Sequence, residues 1–184
     1  MSPRAKFLAL AALFAAPIVA SIVAYNVIEP RATANFGELL LPPVQVSAQP
    51  LQAFAGGIFE FRGLAGKWVL VASDSGDCAG ACRDKLATMR QVRLALGRNA
   101  GRVERVFVVD DLRRPDPALL EEFSGTRVAL TPTGLMLPPG AGNDRAHVYL
   151  VDPRGNVMLR WPAGADRKRM LGDLQRLLKA SQIG

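Results

Sequence analysis

The chain has 184 residues, 49% of them hydrophobic and 21% charged, with 23 Lys and Arg against 16 Asp and Glu and a net charge of +7. That composition excludes wholesale disorder and leaves room for one ordinary domain plus further segments. The positive excess suits anionic lipid or nucleic acid, yet no DNA- or RNA-reading motif accompanies it, so no nucleic-acid partner is assigned.

Residues 1–6 carry Arg4 and Lys6, and residues 7–28 are then apolar apart from Ser21 and Asn26. A helix of that length, rising about 1.5 Å per residue, crosses a bilayer. Pro17 kinks such a helix without forbidding insertion. The pattern predicts a transmembrane anchor over 7–28, a cytoplasmic N-terminus over 1–6 and Tyr25 near the outer interface. In a bacterial-type cell this is a single-pass inner-membrane protein with its C-terminal domain in the periplasm. Ala32-Thr33-Ala34 looks like a signal-peptidase box, but the apolar run exceeds a signal core and the box lies past its end. The reading therefore favours an uncleaved anchor. Residues 29–50 read as a tether, because Pro30, Pro42, Pro43 and Pro50 discourage helix and sheet. Leu39-Leu40-Leu41 is expected to pack onto the domain at one point, and the globular part occupies 51–184.

The densest information lies between Gly66 and Leu96. Trp68-Val69-Leu70-Val71-Ala72 reads as a strand buried on both faces. Asp74-Ser75-Gly76-Asp77 supplies turn formers and side chains able to cap a following helix. From Cys82 onward Leu86, Met89, Val92 and Leu96 recur at helical spacing, with Arg83, Lys85, Arg90 and Arg93 between them, and Gly97 stops the helix. Cys78 and Cys82, the chain's two cysteines, thus sit where a strand gives way to a helix N-terminus. Free N–H groups and the helix dipole stabilise a thiolate there. If the helix begins early, the i, i+4 spacing puts both sulfurs on one face, near enough to share an ion or to oxidise. A purely structural disulfide closing a very short loop is the other reading, and it contributes little entropy.

Val103–Val109 reads as a second buried strand ending in Asp110-Asp111. Pro117–Phe123 is a short helix, Arg127–Leu130 an edge strand, and Thr131–Asn143 a Gly/Pro-rich loop. A hairpin follows: His147–Val151, the turn Asp152-Pro153-Arg154-Gly155, then Asn156–Trp161. Asp166 caps a last helix with Met170, Leu171, Leu174, Leu177 and Leu178 on one side. A strand–helix alternation closed by an antiparallel hairpin predicts an α/β sandwich with a mixed sheet.

That order resembles the thioredoxin fold. Within it the chain resembles the Sco family of membrane-anchored, copper-handling proteins. The likeness rests on the single anchor, Cys-x-x-x-Cys at Cys78 and Cys82, the stretch Tyr149-Leu150-Val151-Asp152-Pro153-Arg154-Gly155, and Leu64-Ala65-Gly66-Lys67 leading into Trp68. The resemblance covers most of 52–180. It implies a thioredoxin-like sandwich with a mixed central sheet after one transmembrane helix, copper as cargo, and a cytochrome c oxidase subunit as client. Family copper ligands are two cysteines and a histidine five residues before the hairpin tyrosine; here that place holds Asp144. The chain's one histidine, His147, lies two residues before Tyr149 and is the candidate third metal ligand beside Cys78 and Cys82. Ala146 stands where thioredoxins carry a cis-proline. Three functions follow as expectations: a copper metallochaperone, a general periplasmic thiol-disulfide oxidoreductase, and a non-catalytic assembly or interaction protein. In the second, Cys78 is the attacking thiol, being more exposed, and Cys82 resolves the mixed disulfide. Asp110, Asp111 and Asp144 read as solvated loop carboxylates.

Overall fold

The apolar N-terminal run folds as α1 (Pro3–Val27), a helix that continues through Pro17. Its segment Pro3–Ala24 has a mean hydropathy of 2.5, long and apolar enough to cross a membrane. The computed structural model describes residues 2–27, 35–46, 48–131 and 144–181. The Ala32–Ala34 box and the loop at 132–143 lie outside the described residues. The chain divides into two units, Met1–Ala34 and Asn35–Gly184.

The second unit runs β1 (Glu38–Gln45), β2 (Leu51–Ala53), β3 (Ile58–Phe59), β4 (Trp68–Asp74), α2 (Ala81–Ala95), β5 (Val103–Val109), α3 (Pro117–Glu122), β6 (Arg127–Leu130), β7 (His147–Val151), β8 (Asn156–Pro162) and α4 (Arg167–Ala180). Among the described residues the strands form one mixed sheet in the order β1-β8-β7-β4-β5-β6-β2-β3. β4, β5 and β6 are parallel neighbours joined through α2 and α3, and the remaining pairs are antiparallel. Strand alternation, with both faces covered, explains why β4 is apolar from Trp68 to Ala72. Trp68, Leu70 and Ala72 join a core built with Leu86, Met89 and Val92 of α2, Leu119 of α3, and Met170, Leu174 and Leu178 of α4. Val69 and Val71 join the other core, with Val106, Val108, Tyr149, Phe59 and Phe61.

Two expectations are corrected here. Part of the tether is sheet: Glu38 and Leu39 pair with Arg160 and Leu159, and Val44 and Gln45 with Val157 and Asn156. The register shifts between Leu39 and Val44, so Pro42 and Pro43 fall in an irregularity on an edge strand, where no ladder donor is required. Arg160 adds a bidentate pair to Glu38, at 2.8 Å for both bonds. β6 is not an edge either, because Gln52 and Ala53 of β2 pair with its Leu130 and Ala129. Three-residue β2 is too short for a period-2 pattern to announce it.

Asp173 of α4 locks the start of β1 to β8. Fully buried, it accepts from the Phe36 and Gly37 N–H groups at 2.9 and 2.8 Å and from Trp161 Nε1 at 2.9 Å. Arg176 adds a fourth bond at 2.5 Å. A Cβ on Gly37 would lie 2.6 Å from Trp161 Nε1, so only glycine permits the approach. Burial pushes the Asp173 carboxyl up, but the donors from Phe36, Trp161, Gly37 and Arg176 together hold it below its ordinary value. Its stabilisation is therefore present above the unfolded carboxyl pKa of about 3.9 and lost as pH falls through the lower folded value. Asp173→Ala is expected to cost about 3 kcal/mol by leaving buried donors unpaired. Urea unfolding of the full chain, followed by tryptophan fluorescence, measures the loss, which should shrink below pH ~3.9.

Candidate functional site: a buried disulfide on a charged platform

β4 and β5 end side by side, with Asp74 paired to Val109. Beyond β4 the chain turns through Ser75-Gly76-Asp77 and reaches Cys78 before α2 begins. Cys78 and Cys82 form a disulfide with Cα atoms 5.0 Å apart. Cys82 lies in the first turn of α2, whereas Cys78 lies outside the helix. The two sulfurs therefore do not meet as i, i+4 neighbours on one helical face. The loop closes instead through a left-handed Cys78, φ 37°, and Gly80, φ 52°. Such a φ is uncommon for a residue with a Cβ and stores strain at the sulfur-bearing residue.

Cys78 is not the more exposed of the pair, since both residues are 2% exposed. They belong to the same core cluster as Leu86, Val148 and Leu150. Nor does the Asp74–Asp77 turn cap α2: the N-cap is Gly80, with no side-chain cap. Those side chains serve elsewhere. Asp77 pairs with Arg113. Asp111 accepts from the Gly76 and Arg113 N–H groups at 3.1 Å each. The cysteine loop thus rests against the segment after β5, and a Cβ on Gly76 would lie 2.0 Å from the Arg113 carbonyl oxygen.

Beneath the disulfide stands Lys85, which the sequence reading placed among the polar residues of α2. Its side chain is fully buried. Nζ donates to the Ser73 carbonyl at 2.8 Å and the Arg145 carbonyl at 2.6 Å, and pairs with Asp74 Oδ2 at 2.7 Å. Burial pushes this ammonium below the ordinary lysine range, against the hydrogen bond and charge of Asp74 and the charge of Asp110. Arg145 reaches in the other direction, donating to Asp110 at 3.0 and 2.5 Å and standing 3.8 Å from Asp111. The Asp110 bond is the main cause that raises the Arg145 guanidinium further. Burial pushes Asp111 up, but the Ser75 hydroxyl, the Gly76 and Arg113 N–H groups and Arg145 hold it below its ordinary value. Asp110 and Asp111 are therefore half-buried platform groups rather than solvated carboxylates. The Asp144 side chain lies outside what the structure describes.

His147 is not brought to the cysteines. It opens β7, and alternation sets it on the same face as Tyr149, with ring centroids 5.9 Å apart. Tyr149 belongs to the core cluster opposite the one that holds Cys78 and Cys82. Among the described residues no group of three or more His, Cys, Asp or Glu is placed to hold a metal ion. Sequence reasoning missed Lys85, Arg145 and Gly76. A signal existed for Lys85, which falls three residues after Cys82 on the stripe that continues through Leu86 and Met89; for Arg145 and Gly76 there was none.

The chemistry available is that of a dithiol–disulfide pair. Reduced, the pair offers two soft thiolates to Cu(I).

Comparison with known proteins agrees in kind. A family model described as transmembrane-like, thioredoxin-like, C-terminal domain matches residues 68–181. No curated protein matches the sequence. Among solved structures, yeast Sco1 with copper bound is 20% identical, with a TM-score of 0.60 over 76% of this chain and 91% of that one. A SCO1/SenC family lipoprotein from Bacillus anthracis is 18% identical, with a TM-score of 0.56 over 76% and 99%. The thioredoxin domain of a thiol-disulfide oxidoreductase from Bacteroides vulgatus is 18% identical, with a TM-score of 0.55 over 75% and 98%. At these identities the likeness is one of fold.

Gly76→Ala tests the platform. The added methyl must displace backbone, so a loss of about 2 kcal/mol is expected. Dithiothreitol should also reduce the Cys78–Cys82 bond faster in the variant, read by alkylation and mass spectrometry.

Proposed function

The chain belongs, by its residues 68–181, to the transmembrane-like, thioredoxin-like C-terminal domain family, and from that premise we propose a membrane-anchored, Sco-like assembly factor that works through Cys78 and Cys82. Its setting is the maturation of the copper centre of cytochrome c oxidase, with the domain held in the periplasm by α1. The observation that carries the reading is the Cys78–Cys82 disulfide at the start of α2. The fold likeness to both copper-bound Sco1 and a thiol-disulfide oxidoreductase supports it.

In the reduced pair, the Cys78 thiolate attacks one sulfur of a client disulfide. The client S–S bond breaks, a Cys78–client bond forms, and the departing client sulfur takes a proton. Cys82 thiolate then attacks the Cys78 sulfur and releases the second client thiol. Two electrons and two protons pass to the client, and the pair ends as the disulfide. A dithiol protein of the same compartment must return it to the reduced form. Cys78 takes the first role because it lies outside α2, on a strained loop that can move while the helix stays in place. Cys82 profits from the first turn of the helix, which stabilises its thiolate.

Copper enters as cargo. Two thiolates suit Cu(I), whereas Cu(II) asks for nitrogen or oxygen donors in a tetragonal array. His147 faces the Tyr149 side of the sheet, so the residues fit Cu(I) and do not fit Cu(II).

Two experiments test this reading. Cys82→Ser should accumulate a mixed disulfide through Cys78 with client or small-molecule disulfides, while Cys78→Ser should not; equal trapping by both would reverse the assigned order. In anaerobic titration against a competing chelator, His147→Ala should leave Cu(I) affinity within about tenfold, a change of roughly 1.4 kcal/mol. The Cys78→Ser/Cys82→Ser chain should bind none. A doubly substituted chain that still supports oxidase assembly would leave only the non-catalytic role.

A further inference from the structure

The net charge of the chain is confined to α2 with the turn after it and α4 with its flanking residues, which pack side by side. Residues 81–102 and 166–181 hold eleven of the 23 Lys and Arg and three of the 16 Asp and Glu, which leaves twelve and thirteen for the rest. α2 and α4 lie together: Arg167 donates to Thr88 Oγ1 at 3.3 Å, and Arg102 donates to the Leu178 and Ser181 carbonyls at 2.9 and 2.8 Å. Their inner sides share one core cluster, so their outer sides form one surface. On it Arg90, Arg98, Lys168 and Lys179 are exposed and make no ion pair among the described residues. Leu94, one turn on from Arg90, is 56% exposed.

We propose that the outer face of α2 and α4 docks on an anionic phospholipid surface. Charge complementarity names the ligand class, because four exposed cations that make no ion pair among the described residues can meet several phosphates at once. An exposed leucine among arginines is what an interfacial helix presents to the headgroup boundary. α1, in the same chain, is long and apolar enough to span a bilayer. The inference does not use the cysteines and stands apart from the redox reading.

The test uses the full-length chain in nanodiscs of phosphatidylcholine alone or with part phosphatidylglycerol. A membrane-impermeant amine reagent then reports on Lys168 and Lys179. With phosphatidylglycerol, modification of both should slow by about fivefold, the worth of one basic residue at an anionic surface. High salt should abolish the difference. Arg90→Glu on α2 together with Arg98→Glu in the turn after it should remove the protection read on α4, with retention of the Cys78–Cys82 disulfide confirming the fold. Equal rates in the two discs would overturn the proposal, as would protection that survives the double substitution. Protection that arises with added polyglutamate but with neither disc would overturn it in favour of an acidic protein partner. Should the double variant fail to fold, the lipid and salt arms on the native chain decide.

Discussion

One ammonium group holds the site together. Lys85 Nζ has three protons, and three oxygens take them: the Ser73 carbonyl, the Asp74 carboxylate and the Arg145 carbonyl. These acceptors come from the end of β4 and from the segment leading into β7, so the bonds exist only when α2 is docked between them. Desolvation makes the charge costly, and full use of its protons is what offsets that cost. Cys82 precedes Lys85 by one turn on the same buried stripe, so fixing the lysine fixes the cysteine. Arg145 extends the arrangement, its carbonyl taken by Lys85 and its guanidinium by Asp110. Charges of alternating sign therefore tie the ends of three strands to the start of one helix.

The loop that carries Cys78 is held differently. Its contacts are the exposed pair of Asp77 with Arg113, the bonds of Asp111 to Gly76 and Arg113, and the close approach of Gly76 to the Arg113 carbonyl. An exposed ion pair contributes little, roughly 0–1 kcal/mol. The Cys78 segment is therefore held more weakly than the Lys85 clamp. Cys82 is thus held within a helix and Cys78 in a left-handed turn outside it.

The position of the histidine is set by where β7 begins. Position 144, where the resemblance looks for a ligand, lies in the 3-10 turn Asp144–Ala146, whereas the histidine at 147 opens β7. Along the strand alternate residues share a face, so His147 goes with Tyr149. His147 consequently packs toward Tyr149, and the thiols are left as the soft donors of the opposite layer.

Period and punctuation alone determined much of this protein: the apolar span, β4 and β5 as strands buried on both faces, α2 and α4 as amphipathic helices, the β7–β8 hairpin, and the placing of two cysteines at a strand-to-helix junction. These are local properties, since each follows from side-chain spacing over one element. Tertiary structure decided what depends on partners distant in sequence. Pro42 and Pro43 argue against a strand until β8 supplies an edge with a register shift to absorb them. Lys85 reads as solvated until Ser73, Asp74 and the Arg145 carbonyl surround it, because a charged residue is buried only where nonlocal acceptors wait. Equal burial of Cys78 and Cys82, and the separation of His147 from both, likewise follow from how the sheet and α2 pack, which no window of sequence contains.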